Sequence, residues 1–137
     1  MTGVLVDTGF LIPLFRPADR LRSRARECLR ANRQPLLTVT PVIVETCFFL
    51  DAEGKGKLLE WARRGALAVA DVPVAAYGEI AAVLRKCADR QIDFADAALV
   101  WLADQSGLRD ILTVDESDFS VYRLKGGRRF EVMKWLD

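Results

Sequence analysis

The chain of 137 residues contains no histidine. That absence excludes Ser-His-Asp and Cys-His nucleophilic catalysis, together with the histidine-containing zinc sites that serve most zinc hydrolases. Cysteine is scarce and odd in number: Cys28, Cys47 and Cys87 lie in apolar, helix-like surroundings without metal-ligand spacing. A disulfide scaffold and an all-cysteine zinc site are therefore set aside, and buried thiols of a reducing, cytoplasmic compartment are expected. No signal peptide is read at the start, and no apolar run reaches the roughly 18 residues that a membrane span needs. Charge of one sign is also missing, since 20 Lys+Arg face 19 Asp+Glu for a net +1. Any attraction to nucleic acid must then be local. If this chain performs hydrolysis, carboxylates must carry it, and clustered carboxylates imply a hard divalent cation.

What is present is a chain rich in core-forming residues, 51% hydrophobic and 28% charged. Its length suits one domain spanning residues 1–137, which buries about two-thirds of its unfolded surface. Short apolar, β-branched runs predict strands at Val4–Val6, Leu36–Val39, Leu67–Val72, Ile111–Val114 and Phe130–Trp135. Between them lie helical patterns. One follows Asp7-Thr8-Gly9 through Phe15, and an amphipathic one carries Ala18, Leu21, Ala25, Cys28 and Leu29 on its apolar face. Another starts at Pro41 and runs to about Leu50; Gly54 and Gly56 then interrupt the pattern before a helix near Lys57–Arg64. Further helices are read around Tyr77–Ala88 and Phe94–Ala103, the latter apolar almost all round and so expected to be buried. Strands alternating with helices predict an α/β fold, a parallel sheet covered on both faces.

Four acids stand out because they interrupt or end apolar segments. Asp7 follows the first strand and Asp115 the fourth, and in open α/β sheets the ligand crevice lies at the carboxyl ends of strands. Either could instead cap the next helix. Glu45 sits within VIVETCFFL and Asp96 within FADAALVW. A lone carboxylate in such a helix is costly to bury unless it is paired or metal-bound, or rides an exposed stripe. Asp93, one turn before Asp96, and Asp118, three residues after Asp115, are each either a helix cap or a further ligand. Acids drawn from four distant segments are what a folded metal site requires.

In the order Asp7 in VLVDTGFLIPLF, Glu45 in TPVIVETCFFL, Asp96 in IDFADAALVWLA and Asp115 in ILTVDESDF, the chain resembles the PIN domain. Within that family it is most similar to the VapC-type ribonuclease toxins of prokaryotic toxin–antitoxin pairs, and the likeness covers nearly the whole chain. The resemblance implies a three-layer α/β/α fold with a central parallel sheet and acids gathered around one or two Mg²⁺ or Mn²⁺ ions. It makes Asp7, Glu45 and Asp96 the core triad and Asp115 the fourth acid, with Asp93 and Asp118 of second rank. Asp7 and Asp96 would bind the ion directly, and Glu45 and Asp115 directly or through water. Thr8 and Thr113 match hydroxyl positions that orient carboxylates.

The implied activity is endoribonucleolytic hydrolysis of RNA, leaving a 5′-phosphate and a 3′-hydroxyl. The implied partners are a small antitoxin and a second copy of the chain, with no membrane. Two alternatives stay open: an RNA-processing nuclease without an antitoxin, and a non-catalytic binding module of the same fold. Repelling carboxylates weigh against the second.

Local charge adds two candidate phosphate contacts. Arg16, Arg20, Arg22, Arg24, Arg26, Arg30 and Arg33 outnumber Asp19 and Glu27 by five, and residues 119–130 hold Arg123, Lys125, Arg128 and Arg129 without an acid. Such patches suit RNA, an acidic partner or a plain solvated face. Trp61, Tyr77 and Trp101 are candidates for interface anchors or for core.

Overall fold

The structure, a computed structural model, describes residues 2–136. Five short strands, β1 (Val4–Val6), β2 (Leu36–Val39), β3 (Ala68–Ala70), β4 (Asp110–Leu112) and β5 (Glu131–Val132), form one sheet in the order β3-β2-β1-β4-β5. Every pairing is parallel. Helices α1 (Thr8–Phe15), α2 (Arg22–Ala31), α3 (Thr40–Cys47), α4 (Ala52–Arg63), α5 (Tyr77–Lys86), α6 (Phe94–Ser106) and α7 (Glu116–Val121) flank it. All three residues of β1 are fully buried, as expected for a central strand of a parallel sheet covered by helices. The chain runs outward from β1 to β2 and β3, then crosses to β4 on the other side. The strand order therefore reverses between β1 and β4, and their carboxyl ends frame the crevice such sheets use for ligands.

The local chemistry explains where the elements depart from the sequence reading. Residues 18–21 are a turn rather than the start of α2, because the Asp19 carboxylate accepts the Leu21 amide at 2.9 Å and the Asp19 amide bonds back to Arg16. Helix α3 stops at Cys47 instead of reaching Leu50. The amides of Phe48, Phe49 and Leu50 bond to the carbonyls three residues earlier, a tightened last turn that cannot continue as α-helix. Gly54 and Gly56 do not interrupt the next helix but lie inside α4, which starts at Ala52 because Asp51 caps it through the Gly54 amide at 2.8 Å. Glycine is needed at 54, where a Cβ would stand 2.7 Å from the Phe15 carbonyl at the end of α1.

Strand β4 ends at Leu112, two residues short of expectation. Its partner β1 gives its last bond there, the Asp7 amide to the Leu112 carbonyl at 3.0 Å, and then turns into α1. Strands β3 and β5 are likewise shorter than read, and α7 falls in a stretch to which the sequence reading gave no helix. Helix α6 is buried as expected, its Ala95, Ala97, Ala98, Leu99, Val100, Leu102 and Ala103 all lying in the core. It packs on α5, α3 and β2, which carries Asp96 to the centre of the molecule. Among the described residues no helix is long and apolar enough to cross a membrane.

Candidate metal centre

Five carboxylates meet at the carboxyl edge of the sheet. Asp7, Glu45, Asp93, Asp96 and Asp115 line a cleft of about 370 Å³ together with Thr8, Gly9, Ile12, Phe49 and Val114. Asp7 arrives from the end of β1, Glu45 from α3, Asp93 and Asp96 from the first turn of α6, and Asp115 from the loop after β4. The cleft stays narrow because α1 approaches that loop closely, a Cβ on Gly9 falling 2.3 Å from Val114 Cγ2. No Lys or Arg lines it.

Hydrogen bonding shows which of these acids cap a helix. Asp7 precedes α1 and Asp115 precedes α7, yet neither side chain caps its helix. Asp7 is instead buried, 6% exposed, with Oδ2 accepting the Thr113 hydroxyl at 2.8 Å. The same Thr113 oxygen accepts the Asp115 amide at 2.9 Å, so one hydroxyl sets both acids. Trp135 then pins Thr113, its indole N–H donating to the Thr113 carbonyl at 2.9 Å while its ring meets Phe10 edge-on. Asp93 does cap α6, accepting the Asp96 amide at 2.8 Å, and still faces the cleft. Asp118 is not among the cleft-lining residues: it is paired with Arg90 at 2.7 Å and lies against Asp115.

Tyr122 is a residue that the sequence reading missed. It is buried after α7, and its hydroxyl donates to Asp96 Oδ2 at 3.1 Å. Its ring packs edge-on against Phe119. Neither spacing nor a charged neighbour marks it, because the contact joins residues 26 positions apart.

The electrostatics follow from crowding without a counter-charge. Burial is the main cause that lifts the Asp7 carboxyl from its ordinary 3.8 to about 6, Glu45 and Asp93 adding to it and the Thr113 bond opposing it. Asp96 is pushed further, to about 8, by burial and then by Asp7 and Asp93, with the Tyr122 hydroxyl resisting. Glu45 is raised by burial and by Asp93, and Asp115 by burial and by Asp118, with Arg90 opposing. Burial and the nearby acids also raise the Tyr122 phenol, which keeps it a donor. Thr8 Oγ1 stands near enough to Glu45 to hold its carboxyl down somewhat, yet it is buried without a well-formed hydrogen bond among the described residues.

As the side chains stand, no three acids or thiols among the described residues close up tightly enough to bracket one ion. The donor set nevertheless fits a hard divalent cation, being all oxygen, short of positive charge and supplied with an unsatisfied buried hydroxyl at Thr8.

The other sequence candidates fall elsewhere. Arg16, Arg20, Arg24, Arg26, Arg30 and Arg33 are exposed and in no ion pair among the described residues, whereas Arg22 donates to the Leu14 carbonyl at 3.1 Å. The C-terminal basic group is tied into the fold through Arg123 to the Val121 carbonyl, Lys125 to Glu79 and Arg128 to the Gly107 carbonyl. Trp61 packs on Phe15 and Tyr77 on Phe94. Trp101 lines a separate groove of about 470 Å³ beside α5 and α6.

The chain is similar to proteins already known. The family model of the PIN domain matches residues 4–124. Ribonuclease VapC26 of Mycobacterium tuberculosis is 33% identical over 135 residues, covering 95% of this chain and 99% of the relative. The crystal structure of Mycobacterium tuberculosis VapC20, described as a sarcin-ricin loop cleaving toxin, superposes with a TM-score of 0.70 at 19% identity, covering 82% of this chain and 89% of the other. That structure shares the fold.

Proposed function

The chain belongs to the PIN-domain family, within its VapC branch, and we propose that it is a divalent-metal-dependent endoribonuclease, the toxin of a type II toxin–antitoxin pair. The observation that carries this reading is the convergence of Asp7, Glu45, Asp93, Asp96 and Asp115 on one cleft at the strand-order reversal. A binding module has no use for repelling carboxylates whose protons are held to about pH 6 and about pH 8.

Asp7 and Asp96 would be the direct ligands of Mg²⁺ or Mn²⁺, with Glu45 and Asp115 binding directly or through water and Asp93 lining the same cleft; Asp118 is not a ligand in this scheme. One or two ions fit the donor set. When bound, such an ion acidifies a water and offsets charge on the phosphate. The chain's own residues prepare for this. Thr113 fixes the Asp7 carboxylate through Oδ2, and the Tyr122 hydroxyl holds Asp96 at Oδ2. Asp96 and Asp7, whose carboxyls are raised to about 8 and about 6, would bind such an ion in their deprotonated form. In the hydrolysis, water attacks phosphorus and the bond to the 3′-oxygen breaks, leaving a 5′-phosphate and a 3′-hydroxyl.

The partners that go with this reading are RNA as substrate, a small antitoxin covering the acidic cleft and a second copy of the chain, in the cytoplasm. The test is cleavage of total RNA by antitoxin-free protein in Mg²⁺, Mn²⁺ or EDTA, beside a folded Asp96→Asn variant. Metal-dependent cutting that the variant loses is expected. A folded wild type that neither binds metal nor cuts would overturn the reading.

A further inference from the structure

The chain has seven phenylalanines. Phe10, Phe15, Phe94, Phe119 and Phe130 each pack against another aromatic ring. Phe48 and Phe49 have no such partner among the described residues and are 80% and 52% exposed. Folding does not explain that exposure, because the apolar anchor of the turn is the next residue, Leu50, which is buried. The turn is nonetheless firmly set, by bonds from the Phe48, Phe49 and Leu50 amides to the carbonyls of Glu45, Thr46 and Cys47. Glu45 begins this series, so the acid and the aromatic rim are built by one stretch of backbone. Phe49 lines the cleft, and the remaining apolar wall is Ile12 and Val114.

Among the described residues the cleft is lined by five carboxylates and no Lys or Arg, so its side-chain charge does not attract a polyanion. Substrate affinity inside it has to come from the bound ion and from uncharged contact. A half-exposed ring offers that contact to the face of a base, whatever its identity, provided the base is unstacked and unpaired. We propose that Phe49 is the stacking platform for an unpaired base beside the scissile phosphate. This rests on the nuclease reading above and adds the element that positions the strand. Phe48, more exposed and outside the cleft lining, is not part of the platform.

The test pairs a binding arm with a cleavage arm. Binding is followed by fluorescence anisotropy of a short labelled single-stranded RNA of mixed sequence, and of the same strand in a duplex, with Ca²⁺ in place of Mg²⁺. Phe49→Ala is expected to weaken single-strand binding by on the order of tenfold, while Phe49→Trp restores it and duplex binding does not follow the ring. In the cleavage arm with Mg²⁺, the KM of Phe49→Ala rises by a similar factor, with a smaller fall in kcat. Unchanged single-strand binding in Phe49→Ala, or equal loss for strand and duplex, overturns the proposal. Ring-dependent binding by a wild type that cuts nothing would leave the platform standing and sink the nuclease reading instead.

Discussion

Thr113 Oγ1 donates to Asp7 Oδ2 at 2.8 Å, joining residues 106 positions apart, and accepts the amide of Asp115 at 2.9 Å. This one hydroxyl ties the end of β1 to the loop after β4 at the place where the strand order reverses. Replacing it with the isosteric Thr113→Val leaves Asp7 Oδ2 and the Asp115 amide without partners in a buried setting. A stability loss of about 1–3 kcal/mol is expected in urea unfolding. Because the bond favours the charged form of Asp7, Mn²⁺ affinity should also fall, by about 10- to 100-fold. An unaltered affinity would show that Thr113 is structural only.

Tyr122→Phe removes only the hydroxyl that reaches Asp96 and keeps the ring against Phe119. Metal affinity and kcat should drop by about tenfold, while stability changes by about 1 kcal/mol or less. Calorimetric metal titration and thermal melts on the same samples separate the two effects. A large fall in melting temperature with normal metal affinity would assign Tyr122 to the core instead.

Without metal, stability should decline as pH rises. Asp7 and Asp96 keep their protons to about pH 6 and about pH 8 when folded, against an ordinary 3.8. Between those limits the folded chain binds more protons than the unfolded one, so raising pH favours unfolding. This contribution is whole below about pH 4 and is lost as pH passes through 6 and then 8. Asp96→Asn should flatten the profile and make the metal-free protein more stable at pH 8. Urea midpoints in EDTA across this range measure it, and a wild-type profile that rises with pH contradicts the site electrostatics.

Much of this site was legible in the sequence because its acids break apolar patterns. Asp7 stands directly after the β-branched run of β1, and Glu45 and Asp96 interrupt helices that are otherwise apolar. The positions of β1 and β2 were readable for the same reason, being short runs with sharp ends. The boundaries that shifted were set by contacts with no local signature. Gly54 is tolerated inside α4 because α1 ends against it, and β4 stops when β1 leaves the sheet. Phe48 and Phe49 fell inside a helix read to about Leu50, because the apolar run gives no sign that the helix tightens at Cys47 and leaves both rings exposed. Tyr122 and the Asp118–Arg90 pair are tertiary contacts between α7 and segments 26 or 28 residues away in sequence. No pattern of spacing encodes them.

The central claim is that Asp7, Glu45, Asp96 and Asp115 hold a divalent ion that displaces their protons. Titration of Mn²⁺ at pH 7 in two buffers of different ionisation enthalpy measures affinity and proton release together. With Asp96 held protonated to about pH 8, the wild type should bind Mn²⁺ with release of about one proton. Asp96→Asn should lose most of the affinity and the proton with it. Absence of Mn²⁺ binding by folded wild type, or binding with no proton release that Asp96→Asn leaves intact, would contradict the account.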